Sequence, residues 1–165
     1  CVPYKRKSLY VLLTLPLLVL FAAVAVYLWF LHTIAFAVYC MLMVLAVLFQ
    51  GYCCAYQYCP YIGRFCPGIG GILMLSSVIA PALKNVKRTP YLFNLFMIFA
   101  IACMIGVFVF PLFFIYKEGL LIGGAYLAII IGYIFLFFRI VCPVCATRDT
   151  CPGGVASEKI FNTDE

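Results

Sequence analysis

The sequence predicts an all-α, polytopic integral membrane protein with four transmembrane helices and one re-entrant or interfacial helix. Of its 165 residues, 68% are hydrophobic and only 10% are charged, whereas globular proteins average about 45–50% apolar and about 25% charged residues. This composition excludes a soluble globular protein, and its high apolar content also excludes a disordered one. Four apolar segments reach the length of about 20 residues that a spanning helix needs.

The four predicted spans are residues 8–31, 33–52, 91–115 and 120–138, within a single membrane domain covering 1–165. Only His32 separates the first two spans, and only residues 116–119 separate the last two. We therefore expect two helical hairpins.

The shorter apolar stretch 69–83 requires a different interpretation, because its 15 residues would extend only about 22 Å as a helix. If this stretch crossed the membrane, the 11 Lys and Arg residues would divide almost evenly between the two sides. If it turns back, all of them except Lys117 fall on one side. Cytoplasmic loops are enriched in Lys and Arg, so we predict a re-entrant or interfacial helix at 69–83. Both termini are then cytoplasmic, in an inner (cytoplasmic) membrane.

The cysteines are the second informative feature. The chain has 10 cysteines, and this topology places eight of them on the cytoplasmic side, mostly in loops 53–68 and 142–154. Each loop has a Cys-Pro followed by an arginine and then Cys-Pro-Gly. Because the cytoplasm is reducing, clustered cysteines there favour metal binding or catalysis over disulfides, and thiolate-rich sites suit zinc or iron–sulfur clusters.

The candidate metal ligands share this side of the membrane, and nearby arginines supply positive charge. The ligands are Cys53, Cys54, Cys59, Cys66, Cys142, Cys145 and Cys151, with Cys1 as a further candidate, and the supporting arginines are Arg64, Arg139 and Arg148.

The two loops resemble the membrane-integrated ferredoxin-like proteins of the NapH and NosR type. In that family, Cys-Pro, five residues and Cys-Pro-x-Gly lie between apolar helices. Here Cys59-Pro60, five residues and Cys66-Pro67 keep that spacing, with Gly68 directly after Pro67, and a later helix ends in an arginine followed by cysteines, as in the family, at Arg139, Cys142 and Cys145. The resemblance implies iron–sulfur clusters of the 4Fe-4S type. It also implies electron transfer to or from a partner or quinone, within a larger membrane complex.

Two alternatives remain open. Cys142 and Cys145 form a C-x-x-C pair, which is also typical of thiol–disulfide oxidoreductases. Alternatively, the chain is a non-catalytic assembly subunit with structural or zinc-bound cysteines. In every case we expect a subunit that contacts lipid and other membrane subunits. Nucleic-acid binding is not expected, because the basic residues lie at the ends of apolar runs rather than along one polar face.

Other residues carry weaker signals. Cys40 and Cys103 lie within spans and are expected to be packing residues, whereas His32 is expected to be an interfacial anchor near Trp29. Small residues at Gly124, Ala128 and Gly132 predict close packing against another helix.

Overall fold

The computed structural model describes residues 7–56, 62, 79–86, 89–144 and 152–161. Within these residues the fold is helical and has no β-strand. Four helices are long and apolar enough to cross a membrane, which confirms the predicted all-α polytopic membrane fold. The α-helices are α1 (Lys7–Leu31), α2 (Thr33–Tyr56), α3 (Pro90–Glu118), α4 (Leu120–Ile140) and α5 (Pro152–Phe161), with 3-10 helices at Ala82–Asn85 and Cys142–Val144.

Helix α2 continues to Tyr56, four residues beyond the predicted span 33–52. Aromatic packing accounts for the extension. The ring of Tyr52 meets that of Phe96 edge to face at 4.7 Å, and the ring of Tyr56 stacks on that of Phe93 at 4.6 Å. These ring contacts stabilise the last turn of α2 against the start of α3.

The four long helices run alternately up and down. The Tyr56–Phe93 contact places the end of α2 beside the start of α3. The hydroxyl of Tyr27, near the end of α1, donates a hydrogen bond of 2.9 Å to Glu118, the last residue of α3. The bundle therefore has a hairpin end, where His32 and Gly119 connect the helices. It also has a cysteine end, where α1 and α3 begin and α2 and α4 end.

The core follows the spacing of a helical bundle. Buried residues recur at intervals of three and four in α1 and in α4, a spacing typical of helices that pack at a shallow crossing angle. In α1 these residues are Leu17, Phe21, Val24 and Leu28, and in α4 they are Tyr126, Ile130, Tyr133 and Phe137.

Contacts between the long helices run from α1 to α2, α2 to α3, α3 to α4 and α4 back to α1. Helices α2 and α4 are therefore diagonal across the bundle. Gly106 lies at the α2–α3 contact, where a Cβ atom would be 3.4 Å from Cδ1 of Leu42. This small residue lets the two helices approach closely.

The connection between α2 and α3 starts and finishes at the cysteine end, as the fold-back prediction requires. Residues 69–78 of the predicted re-entrant helix lie outside the described residues. Its last residues lead into the 3-10 helix Ala82–Asn85, which packs against α2. Ala80 is fully buried there.

Candidate metal centre at the cysteine end

The first described part of the candidate site is the final turn of α2. Cys53 and Cys54 lie in this turn and not in a loop, because the helix extends to Tyr56. Both cysteines are half-buried. The aromatic contacts of Tyr52 and Tyr56 hold this turn against α3, so the backbone that carries the two sulfurs is fixed by packing.

The second described part follows α4. Cys142 begins the 3-10 helix Cys142–Val144, and it is only 7% exposed. Its side chain belongs to the apolar core cluster together with Phe137 and Val141. The N–H of Val141 donates to the carbonyl of Phe137 at 2.9 Å, which extends the helical hydrogen bonding up to Cys142.

Helix α5 folds back against the end of α4. The hydroxyl of Ser157 donates a hydrogen bond of 2.7 Å to the carbonyl of Phe138, and the rings of Phe161 and Phe135 meet edge to face at 5.4 Å. The last carbonyls of a helix have no partner within the helix, so Ser157 satisfies one of them. Since α5 also contacts the 3-10 helix Cys142–Val144, both ends of the segment that carries Cys145 and Cys151 are anchored near α4.

The described candidate ligands lie in two places, with Cys53 and Cys54 in the last turn of α2 and Cys142 directly after α4, which is diagonal to α2. Adjacent helices pack about 8–10 Å apart, so diagonal axes lie about 11–14 Å apart. Cys53 and Cys142 therefore lie at the ends of helices that are not adjacent in the bundle.

Three of the eight candidate ligands, Cys53, Cys54 and Cys142, belong to the described residues. Within the described part of the chain, no three His, Cys, Asp or Glu side chains lie together as a metal site would require. Arg139 is exposed in the last turn of α4, where a positive charge interacts favourably with the helix dipole. The other predicted site residues lie outside the described residues: Cys1, Cys59, Cys66, Cys145, Cys151, Arg64 and Arg148.

The remaining sequence expectations have mixed outcomes. Cys103 is buried and Cys40 is half-buried within their helices, as expected for packing residues. His32 is exposed at the hairpin end. Gly124 and Gly132 have no described atom near the position of a Cβ, so their stripe faces away from the described bundle.

Sequence reasoning missed α5 and the role of Ser157. The segment 152–161 has a proline at its first helical position, which is a common helix start. Its inward residues Gly154 and Ser157 are small or polar, so the segment lacks the apolar periodicity that identifies an amphipathic helix. Only the position of Pro152 signalled a helix.

Comparison with protein-family models, with curated proteins and with solved structures gives no match to this chain.

Proposed function

We propose that this protein is a membrane-embedded electron-transfer subunit whose cysteines bind iron–sulfur clusters at the cysteine end. The observation that carries this proposal is that α2 and α4, the helices that lead into the two cysteine motifs, end on the same side of the bundle. The donor set is suitable, because iron–sulfur clusters are held by Cys thiolates. When bound, such a cluster supplies one-electron redox chemistry.

The proposal assigns the cysteines to two groups. The first consists of Cys53, Cys54, Cys59 and Cys66, and the second of Cys142, Cys145 and Cys151, with Cys1 as a candidate fourth ligand. The diagonal arrangement of α2 and α4 supports this division. Arg139 contributes positive charge three residues before Cys142, and charge near a cluster is one determinant of its reduction potential.

The burial of Cys142 favours a metal ligand over a thiol–disulfide centre. Disulfide exchange requires a thiolate that the partner disulfide can reach, whereas Cys142 is only 7% exposed and packs in the core. A metal ligand can be buried, since it needs to reach only the metal ion.

The distribution of positive residues between the two ends of the bundle gives the proposed orientation. The described positions Lys7, Lys84, Arg139 and Lys159 belong to segments at the cysteine end, and Lys117 to the hairpin end. By the positive-inside rule the cysteine end faces the cytoplasm, in an inner (cytoplasmic) membrane. We propose other membrane subunits of a redox complex, or a quinone in the bilayer, as electron partners.

Metal analysis of anaerobically purified protein tests this function. We expect iron and acid-labile sulfide in equal amounts and a brown colour. Cys53→Ala and Cys142→Ala should each remove about half of the iron, and the double variant should remove nearly all of it. Cys40→Ala and Cys103→Ala are matched controls, because these cysteines lie within the spans, and they should retain the iron.

Three results would contradict the proposal. Zinc in place of iron would identify a structural site, which is the assembly-subunit alternative. Metal-free protein in which Cys142 and Cys145 cycle between thiol and disulfide would identify an oxidoreductase. Equal loss of iron in the Cys40 and Cys142 variants would show that the iron does not report on the proposed ligands.

A further inference from the structure

An elongated cavity opens between α1, α3 and α4 near the hairpin end. Its volume is about 450 Å³. Two alanines that face it, Ala23 from α1 and Ala125 from α4, leave the space that larger side chains would fill. The lining residues are Leu20, Ala23, Val24, Tyr27, Ile115, Glu118, Ile122, Ala125, Tyr126 and Ile129. We call this cavity the hairpin-end groove.

The hairpin-end groove is apolar along its length and polar at one end. The hydroxyl of Tyr126 donates a hydrogen bond of 3.0 Å to the carbonyl of Phe108, within the bundle. The polar end consists of Tyr27 and Glu118, where the tyrosine hydroxyl donates to Oε1 of the carboxylate at 2.9 Å. A carboxylate has about four lone-pair sites, so Glu118 retains the capacity to accept further hydrogen bonds.

The polar end lies at the level expected for lipid headgroups. Glu118 is the last residue of α3, and the exposed side chains of Trp29 and Tyr116 belong to residues two positions from Tyr27 and Glu118 in the sequence. Exposed aromatic residues of this kind are enriched at membrane–water interfaces. Glu118 is the only charged residue among those that line the groove, and the ammonium group of the neighbouring Lys117 lies over the ring of Phe113, 4.5 Å from its centroid.

We propose that the hairpin-end groove binds a phospholipid with a primary ammonium headgroup, of the phosphatidylethanolamine class. The groove has a volume of about 450 Å³ and an apolar lining, which suits an acyl chain. The ammonium group donates hydrogen bonds to Glu118, and Tyr27 holds the carboxylate in position. The site lies at the opposite end from the cysteines and does not depend on the proposed function.

Selectivity comes from the headgroup and not from the tail. An acyl chain that moves from the bilayer into the groove passes from one apolar environment to another, because lipid tails are as apolar as the side chains. The hydrophobic effect therefore does not favour one lipid over another. A choline headgroup has the same charge but no N–H donor, and a glycerol headgroup has no cationic group to pair with Glu118. The site therefore distinguishes these lipids by a charge-assisted hydrogen bond.

Native mass spectrometry of the protein released from bilayer discs tests the proposal. The discs contain equal parts of phosphatidylethanolamine, phosphatidylcholine and phosphatidylglycerol. For one tightly bound lipid, we expect a preference for phosphatidylethanolamine over phosphatidylcholine of about tenfold, the discrimination typical of one hydrogen bond to a charged group.

Glu118→Gln should sharply reduce this preference, since glutamine retains an oxygen that accepts from Tyr27 but loses the charge that strengthens the hydrogen bond from the ammonium group. Glu158→Gln is the matched control, because Glu158 lies on α5 at the cysteine end, and it should keep the preference. Ala125→Phe should fill the groove and reduce the binding of all three lipids alike. Circular dichroism confirms that each variant folds.

The proposal is overturned if the wild-type protein shows no preference for phosphatidylethanolamine, or if Glu118→Gln keeps the preference at the wild-type level. Measuring iron in the same samples separates the two hypotheses. Glu118→Gln should leave the metal content at the wild-type level whether or not the cysteines bind iron.

Discussion

The two ends of this bundle are closed in different ways. At the hairpin end, single residues, His32 and Gly119, connect the helices, and side chains from three helices meet around the groove. At the cysteine end the connections are longer, and a separate helix, α5, folds back onto α4. The comparison indicates that contacts among the spans stabilise the hairpin end. The cysteine end depends in addition on contacts made by α5, which lies outside the four spans.

The difference has a physical basis in the solvent. Within the lipid region every backbone polar group must be satisfied internally. The short connections at the hairpin end meet this requirement because they leave few backbone N–H and C=O groups without a partner. At the cysteine end the orphaned carbonyls of α4 are satisfied by other means, including the hydroxyl of Ser157. Substitutions at the hairpin end should therefore affect global stability, and substitutions at the cysteine end should affect local order.

The largest expected effect is at the core of the hairpin end. Leu28 is fully buried, and Leu28→Ala should lower the free energy of unfolding by about 2–3 kcal/mol. This is the lower part of the range for buried Leu→Ala substitutions, because the bilayer offers no hydrophobic transfer term and only packing is lost. Unfolding by titration with a denaturing detergent measures the change.

Leu31→Ala is the control for this prediction. Leu31 lies in the same helix but is 46% exposed, so its truncation should change the free energy of unfolding by less than about 0.5 kcal/mol. Equal effects of the two substitutions would show that the described core does not determine the stability of the hairpin end.

The second prediction concerns the turn between α3 and α4. Gly119 has φ 147° and ψ 147°, a backbone region occupied almost only by glycine. Gly119→Ala should therefore destabilise the protein by about 1–2 kcal/mol. Detergent-induced unfolding again measures the effect.

Gly124 provides the contrast for Gly119, because it lies within α4 with open space at its Cβ position. Gly124→Ala should be neutral or stabilising by up to about 1 kcal/mol, as alanine favours the helix more than glycine does. Destabilisation by Gly124→Ala as large as that by Gly119→Ala would mean that a partner helix covers this face.

The third prediction tests the closure of the cysteine end. Ser157 is 1% exposed and donates to Phe138. Ser157→Ala leaves a partly buried carbonyl without this donor and should destabilise the packing of α5 by about 1 kcal/mol. In metal-free protein, the thiol of Cys142 should then react about fivefold faster with a small thiol reagent, since local opening becomes more frequent.

Peptide mass spectrometry at Cys142 measures this rate. Lys159→Ala is the control, because the Lys159 side chain is exposed on the same helix, and it should leave the rate unchanged. An unchanged rate in Ser157→Ala would show that α5 does not cover Cys142, and the comparison between the two ends would then fail at the cysteine end.

The sequence was sufficient to predict the four spans, because length and apolar content alone identify helices in a bilayer. It was not sufficient to predict which faces form the core. The lipid-facing residues of α1, such as Leu12 and Val19, are as apolar as Leu17 and Phe21, so hydrophobic periodicity carries no signal. The groove was equally hidden, since Tyr27 and Glu118 are 91 positions apart and meet only through the arrangement of α1 and α3.

The cysteine motifs, unlike the core and the groove, are visible in the sequence. Their spacing is evident in the sequence, and it predicts a metal site on chemical grounds alone. The finding that α2, which carries Cys53, and α4, which precedes Cys142, are diagonal required the bundle order, because no pattern within one helix reports its neighbours. Sequence thus identifies the candidate ligands, and the fold shows that the described ones lie at the ends of two helices that are not adjacent.

The smallest expected effect compares helix starts at the two ends. At the cysteine end, the hydroxyl of Thr89 accepts a hydrogen bond of 3.4 Å from the N–H of Leu92 and caps α3. Because this bond is long, Thr89→Ala should cost only about 0.5 kcal/mol, the lower limit for loss of an N-cap. Thr33→Ala at the hairpin end is the control, since Thr33 is exposed and is already the first residue of α2. Amide hydrogen exchange in the first turn of α3 should increase about twofold in Thr89→Ala and should not change in Thr33→Ala. Equal exchange in the two variants would show that the first turn of α3 is held by its packing against α2 and not by its cap.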